Sequence, residues 1–264
     1  MLVSGQWFAE KCRWNFDVRY GVRIWSDPSE VTEGDRVFIR RNDIWKLLKM
    51  DLHPRVDLIV HNTDRRFHIH AYNEVKDRVR TVYAINATSP NVVKIPIGFR
   101  DDFLTPHTEI LEIAKEQKNV NQRSILCLVN FMVANNPEYR GPILDHFRKQ
   151  SFCTVQDYVS FHRGTSLNFR DPLTIKKGHE FYRTLCNTRF AICPFGTGLD
   201  TYRVYECILF GVIPIVQTSP LNTMYRRLPI WIVKDWSEVT EDSLLACKIQ
   251  PNPNSVLQYK APWE

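Results

Sequence analysis

No stretch constrains this chain more than residues 190–216, FAICPFGTGLDTYRVYECILFGVIPIV. An apolar run, a glycine turn, a helical pattern, a glycine stop and a second apolar run follow one another. That order predicts strand, loop, helix and strand. Gly196, Thr197 and Gly198 form the turn, Asp200 is the predicted N-cap, and Gly211 with Pro214 marks the exit. A helix mouth of this kind presents backbone N–H groups and the positive dipole end, and glycines before it let an anion come close, so it suits a diphosphate. Arg203 supplies a planar charge for phosphate oxygens, and Glu206, one turn further on, suits the paired hydroxyls of a ribose. Taken alone, Arg203 and Glu206 make an i,i+3 surface pair worth about 0.2–0.5 kcal/mol. That plainer reading leaves the two glycines unexplained. The turn is not a P-loop, because Asp200-Thr201-Tyr202 stands where Gly-Lys-Ser/Thr would be, and it falls too late in the chain for a dinucleotide fingerprint.

The remainder alternates in the same manner. Residues 36–40, 57–60, 81–85 and 92–95 predict strands, with short helices over 44–50 and 73–79 between them. Residues 105–121 predict a helix that opens at Thr105-Pro106. Residues 124–131 (SILCLVNF) predict a buried strand and 139–150 a helix. Beyond them come a strand or extended segment over 155–161, a helix over 177–185 and strands at 190–193, 214–216 and 230–233. Such alternation implies an α/β protein with mostly parallel sheets. We divide the chain into a first domain over 1–116, a second over 117–240, and a tail over 241–264 that packs back on the first.

Composition narrows the partners. A net charge of +6 fits an anionic small molecule. There is no arginine-rich arm, zinc spacing or aromatic–basic RNA motif, so nucleic acid is not expected. Seven cysteines, an odd number with no CxxC pair, argue against a disulfide framework and for a reducing compartment. The opening MLVSGQWFAEKCRW lacks the apolar core of a signal peptide, and no apolar run reaches the length of a membrane span, so a cytoplasmic location is expected. Asn86-Ala87-Thr88 matches a glycosylation acceptor and is read as chance in such a compartment.

The block Pro194-x-Gly196-x-Gly198-x-Asp200-x-x-Arg203-x-x-Glu206, then Gly211-x-x-Pro214, Leu228-Pro229 and Asp235-Trp236, resembles the donor-binding half of exostosin-like glycosyltransferases. DLIVHNTD (57–64), YAIN (83–86) and KIPIGF (94–99) look like landmarks of the acceptor-side half, and SILCLVNF with Arg140 downstream looks like the opening of the donor half. Short members of this family that carry no membrane anchor occur in large DNA viruses. The resemblance implies a GT-B architecture, two Rossmann-like domains facing across a cleft. It implies a UDP-sugar donor, with UDP-xylose weakly favoured, an oligosaccharide or glycoprotein acceptor, and inversion at the anomeric carbon. It implies no cofactor and no metal, and the metal-binding Asp-x-Asp of the rival GT-A design is absent. Asp101-Asp102 is adjacent and reads as a solvated turn.

Roles follow by matching. Gly196, Thr197, Gly198, Asp200, Arg203 and Glu206 hold the donor, with Arg140 as a second cation and Asn130 at a strand end. Inverting transfer needs a base for the acceptor hydroxyl. Asp64, just past the DLIV strand, is the candidate, with His61 as the alternative base or an orienting partner, and Asn86 either faces the acceptor or is a satisfied loop amide. The bland reading of Asp64 is a solvated turn residue. His61, His68 and His70 imitate a metal set without supporting carboxylate or cysteine spacing. A chain that keeps the cradle but needs no base would be a non-catalytic nucleotide- or glycan-binding module.

Overall fold

The computed structural model describes residues 2–50, 55–101, 106–156 and, for the backbone, 172–264, with side chains from 178 onward in that last stretch. The first half contains α1 (Gly5–Glu10), β1 (Trp14–Asn15), β2 (Arg36–Arg40), α2 (Ile44–Leu48), β3 (Val56–His61), α3 (Ile69–Val75), β4 (Val79–Ala84), β5 (Val93–Lys94) and α4 (His107–Ala114). The second contains β6 (Ile125–Val129), α5 (Pro137–Arg148), β7 (Cys153–Val155), α6 (Pro172–Cys186), β8 (Thr188–Ile192), α7 (Tyr202–Leu209) and β9 (Ile213–Gln217). It is completed by α8 (Asn222–Tyr225), β10 (Trp231–Val233), α9 (Glu241–Leu245) and α10 (Asn254–Leu257). The protein is α/β, with two parallel five-stranded sheets.

The two sheets are wound differently. The first runs in chain order, β1-β2-β3-β4-β5, and never reverses. The second is ordered β10-β9-β8-β6-β7, so the chain leaves β6 for one edge at β7 and returns to its other side at β8. A reversal of this type opens a crevice at the carboxyl ends of the two central strands.

Side-chain alternation along the strands explains the layering. Leu58 and Val60 of β3 share a core with Ile44, Leu47, Ala71 and Val75 of the flanking helices. Ile59 points the other way and joins Leu2, Phe8 and Phe38. That second cluster continues without a break to Leu128, Ala191, Tyr205 and Ile208, so the two sheets share one core. The tail enters it too. Val256 is buried there, and Trp263 packs edge-on to Tyr83 at 4.8 Å between ring centres. Glu264 pairs with Lys11 of the first half.

Several boundaries move relative to the sequence. The helix predicted over 73–79 sits at Ile69–Val75, because the His68 ring accepts from the Ala71 N–H at 3.4 Å and starts it early. The helix predicted over 105–121 stops at Ala114. Beyond it, Lys118 N–H donates to the Cys186 carbonyl at 3.2 Å, a tertiary bond that replaces the next helical turn. Thr105 and residues 157–161 lie outside the described residues. The cysteines are free thiols. Among the described residues, no helix is long and apolar enough to cross a membrane.

Candidate functional site at the strand reversal

A cavity of about 110 Å³ lies at the reversal between β6 and β8, where Asn130 and Cys193 follow the two strands and Thr201, Arg203 and Glu206 face them from the start of α7. Arg203 is the hub. Its Nε donates to Glu206 Oε2 at 3.0 Å, and its Nη1 donates to both the carbonyl and the Oδ1 of Asn130 at 3.0 and 3.1 Å. Its guanidinium lies 3.9 Å from the Phe181 ring centre. The other Glu206 oxygen accepts from the Tyr182 hydroxyl at 3.2 Å. Burial, and then the neighbouring carboxylate, pushes the Tyr182 hydroxyl well above its ordinary range, so it stays a donor. A cation and a carboxylate are thereby fixed on one wall with their rotamers already chosen. At the mouth of α7, the side chain of Thr201 makes no capping bond, and its hydroxyl is buried with no partner among the described residues.

The glycine turn has a different explanation from the one its sequence suggests. A Cβ on Gly196 would meet Arg140 Nη2 at 3.1 Å, and one on Gly198 would meet Asn86 Nδ2 at 2.8 Å. Both glycines therefore admit protein side chains. Neither needs a positive φ. Arg140 is buried and spans three carbonyls, donating to Met132 at 2.7 Å, Pro194 at 2.7 Å and Phe195 at 2.9 Å. It braces the loops that follow β6 and β8 and also lines the small cavity. Thr197 is exposed, and its hydroxyl donates to the Asn135 carbonyl at 3.1 Å.

Asp200 and Asn86 are likewise a clasp. Asp200 is 3% exposed; its Oδ2 accepts from Ile97 N–H at 2.8 Å and Tyr205 at 2.7 Å, its Oδ1 from Tyr225 at 2.7 Å and Thr201 N–H at 3.0 Å. It is not the N-cap, a position that Thr201 takes. Burial pushes the Asp200 carboxyl up to about 6, although these four donors pull the other way. Asn86 is fully buried at φ 52°. Its Oδ1 accepts the Asp200 N–H at 2.8 Å, and its Nδ2 donates to the Thr63 carbonyl at 3.0 Å. Asn86 thus faces the second half of the chain, with no surface left for an acceptor.

A larger cavity of about 970 Å³ adjoins the first and shares Arg100 and Tyr202 with it. Its wall carries a polar chain that the sequence did not disclose. Asn62, at φ 56°, donates to Asp17 Oδ2 and to the Tyr20 hydroxyl at 3.0 Å each. Tyr20 in turn donates to Asp101 Oδ2 at 2.5 Å, and Gln6 N–H donates to the same oxygen at 3.0 Å. Asp101 Oδ1 is buried with no partner among the described residues. Asp101 is therefore half-buried and bonded, unlike the solvated turn expected of it; Asp102 lies outside the described residues. The only sequence signal was an asparagine closing each of two buried strands, Asn62 after β3 and Asn86 after β4, since asparagine tolerates the left-handed region that ends a strand abruptly.

His61 is buried behind this chain, with Nδ1 2.9 Å from Asn62 Oδ1 and Nε2 3.1 Å from the Pro96 carbonyl. Burial lowers its pKa, and the neutral ring can donate to only one of these two oxygens; it lines neither cavity. Asp64 is exposed in the turn after β3 and lines neither cavity. His68 and His70 are exposed neighbours, 5.5 Å between ring centres. Among the described residues, no three His, Cys, Asp or Glu side chains gather as a metal-binding set. No family model matches the chain, and no curated protein shows significant similarity to it.

Proposed function

We propose that the chain is a glycosyltransferase of GT-B design that takes a UDP-sugar on its second half and a glycan hydroxyl on its first. The observation that carries this reading is the small cavity at the strand reversal, where Arg203, Glu206 and Asn130 are interlocked beside the mouth of α7. Arg203 and the α7 mouth receive the diphosphate, and Glu206 receives the ribose hydroxyls. The acceptor occupies the adjoining larger cavity. Its hydroxyl oxygen attacks the anomeric carbon, the bond to UDP breaks with the electron pair leaving on phosphate, and the proton passes to Asp101. Asp101 takes the base role from Asp64 because it stands on the wall of that cavity. The step requires the Asp101 carboxylate to turn its covered oxygen outward.

Calorimetry with UDP tests the reading. Micromolar binding to the wild type, weakened tenfold or more by Arg203→Ala, is the expected result. An absence of UDP binding overturns it. The second reading, a nucleotide-binding module without catalysis, is favoured by one observation: Asp64 and His61 both lie off the cavity walls. UDP binding without transfer or donor hydrolysis, across a panel of UDP-sugars and glycans, would select it.

A further inference from the structure

A third cavity, of about 520 Å³, shares no residue with the two above. Three separate parts of the chain build it. Lys94 and Pro96 come from the first half, Met224 and Arg227 from the segment around α8, and Tyr259 and Lys260 from the tail. Its charge is one-sided. Lys94, Arg227 and Lys260 line it, and no aspartate or glutamate does. Among the described residues, none of these three cations makes a salt bridge. Lys260 acts electrostatically on Glu264, but that carboxylate is already paired with Lys11. Like charges gathered around one concavity repel one another, and a bound anion removes that cost. Most of the remaining wall is apolar or aromatic, with Val92, Leu228 and Pro262 beside Tyr259, and Thr223, Ser255 and Gln258 add uncharged polar groups. A wall of that kind with a few convergent charges takes a ligand that has an apolar body and a charged end.

We infer that this cavity is a second binding site, for an organic anion in which a phosphate or sulfate group is carried on an apolar ring. Its position gives the binding a consequence. Tyr205 lies on the cavity wall and donates to Asp200, the buried carboxylate that also holds Ile97 of the first half. An occupant touches the first half, the second half and the tail together, and so stabilises their junction by mass action.

The test uses 1-naphthyl phosphate, with 1-naphthol and inorganic phosphate as controls, each titrated into the full chain at saturating UDP. The expected result is that 1-naphthyl phosphate binds at least tenfold more tightly than either control and raises Tm. Its affinity falls as NaCl rises, and it drops tenfold or more in Lys94→Ala/Arg227→Ala/Lys260→Ala. The substituted side chains are partly or fully exposed, so this variant is expected to fold, and a wild-type circular dichroism spectrum and Tm without ligand check that. Equal binding of 1-naphthol, or binding unchanged in the triple variant, overturns the proposal. If the chain proves not to bind UDP, the same titration in plain buffer still decides this site, so the two readings fail separately.

Discussion

At the scale of single residues, the molecule separates groups that hold the fold from groups free to meet a ligand. Asp101 lies between the two, on a cavity wall with one oxygen bonded and the other covered. Asp101→Asn keeps the shape and the two donors to Oδ2 but removes the basicity. It is expected to lower transfer a hundredfold or more while UDP affinity changes less than twofold, measured by product formation and calorimetry. An equal fall in UDP affinity would make the residue structural. Gly198 is in the first class. A Cβ there meets Asn86 Nδ2 at 2.8 Å, and that amide is fixed by its bonds to Thr63 and Asp200. Gly198→Ala is expected to cost about 1–3 kcal/mol in denaturant unfolding. Asn86→Ala leaves the buried Asp200 N–H without its acceptor and costs a similar amount, about 1–3 kcal/mol. Because both act at one contact, the double variant is expected to cost clearly less than the sum.

At the scale of elements, α7 and its flanking strands were legible because each signal agreed with the next: apolar run, glycine, helical period, glycine, apolar run. The central strands β3, β4, β6 and β8 were legible for the same reason, since parallel strands buried on both faces read as continuous apolar runs. The two-residue β1, the three-residue β7 and the short helices α1, α8, α9 and α10 were not. Pieces of that length register only where an apolar run marks them, as at β5 and β10. The site was partly legible. Arg203, Glu206 and Asn130 come together as their types and positions imply. Asp200 and Asn86 turn out to be held inside the fold and Arg140 to carry a bracing duty as well, because sequence shows that a donor or acceptor exists but not that a carbonyl or a buried amide has already claimed it. Arg123 went unremarked for the same reason, yet it is buried and donates to the Thr188 and Gly211 carbonyls at 2.8 and 2.7 Å. The Arg140 brace gives a prediction at this scale. A lysine ammonium cannot span three carbonyls in the plane of a guanidinium. Arg140→Lys is expected to lose about 2–3 kcal/mol and to weaken UDP several-fold, because the loops after β6 and β8 form the cavity. Full stability with weakened UDP would instead assign Arg140 to the ligand.

At the scale of the whole molecule, the halves are joined by one continuous core and by the buried Asp200 carboxylate between them. Burial raises that carboxyl from 3.8 to about 6, so the folded chain holds the proton more tightly than the unfolded one. The stability linked to this proton is therefore fully present below about pH 4 and is lost as pH rises through about 6. His61 acts in the opposite sense. Burial lowers its pKa below 6.5, so its contribution is present above that value and is lost as pH falls below it. Asp200→Asn is expected to remove the first slope and leave the second, so that Tm of the variant falls on acidification from pH 7 to 5 more steeply than that of the wild type. Parallel Tm profiles would show that Asp200 does not titrate in this window.

The path of the tail bears on how such a molecule comes into being. Trp263 rests on Tyr83 and Phe8, and Arg36 lies over its indole, so the first sheet is finished by side chains made long after its own strands. A chain emerging from the ribosome exposes that aromatic patch throughout synthesis of the second half. The first half is thus translated early but matures late, and it is then that a chaperone would find it.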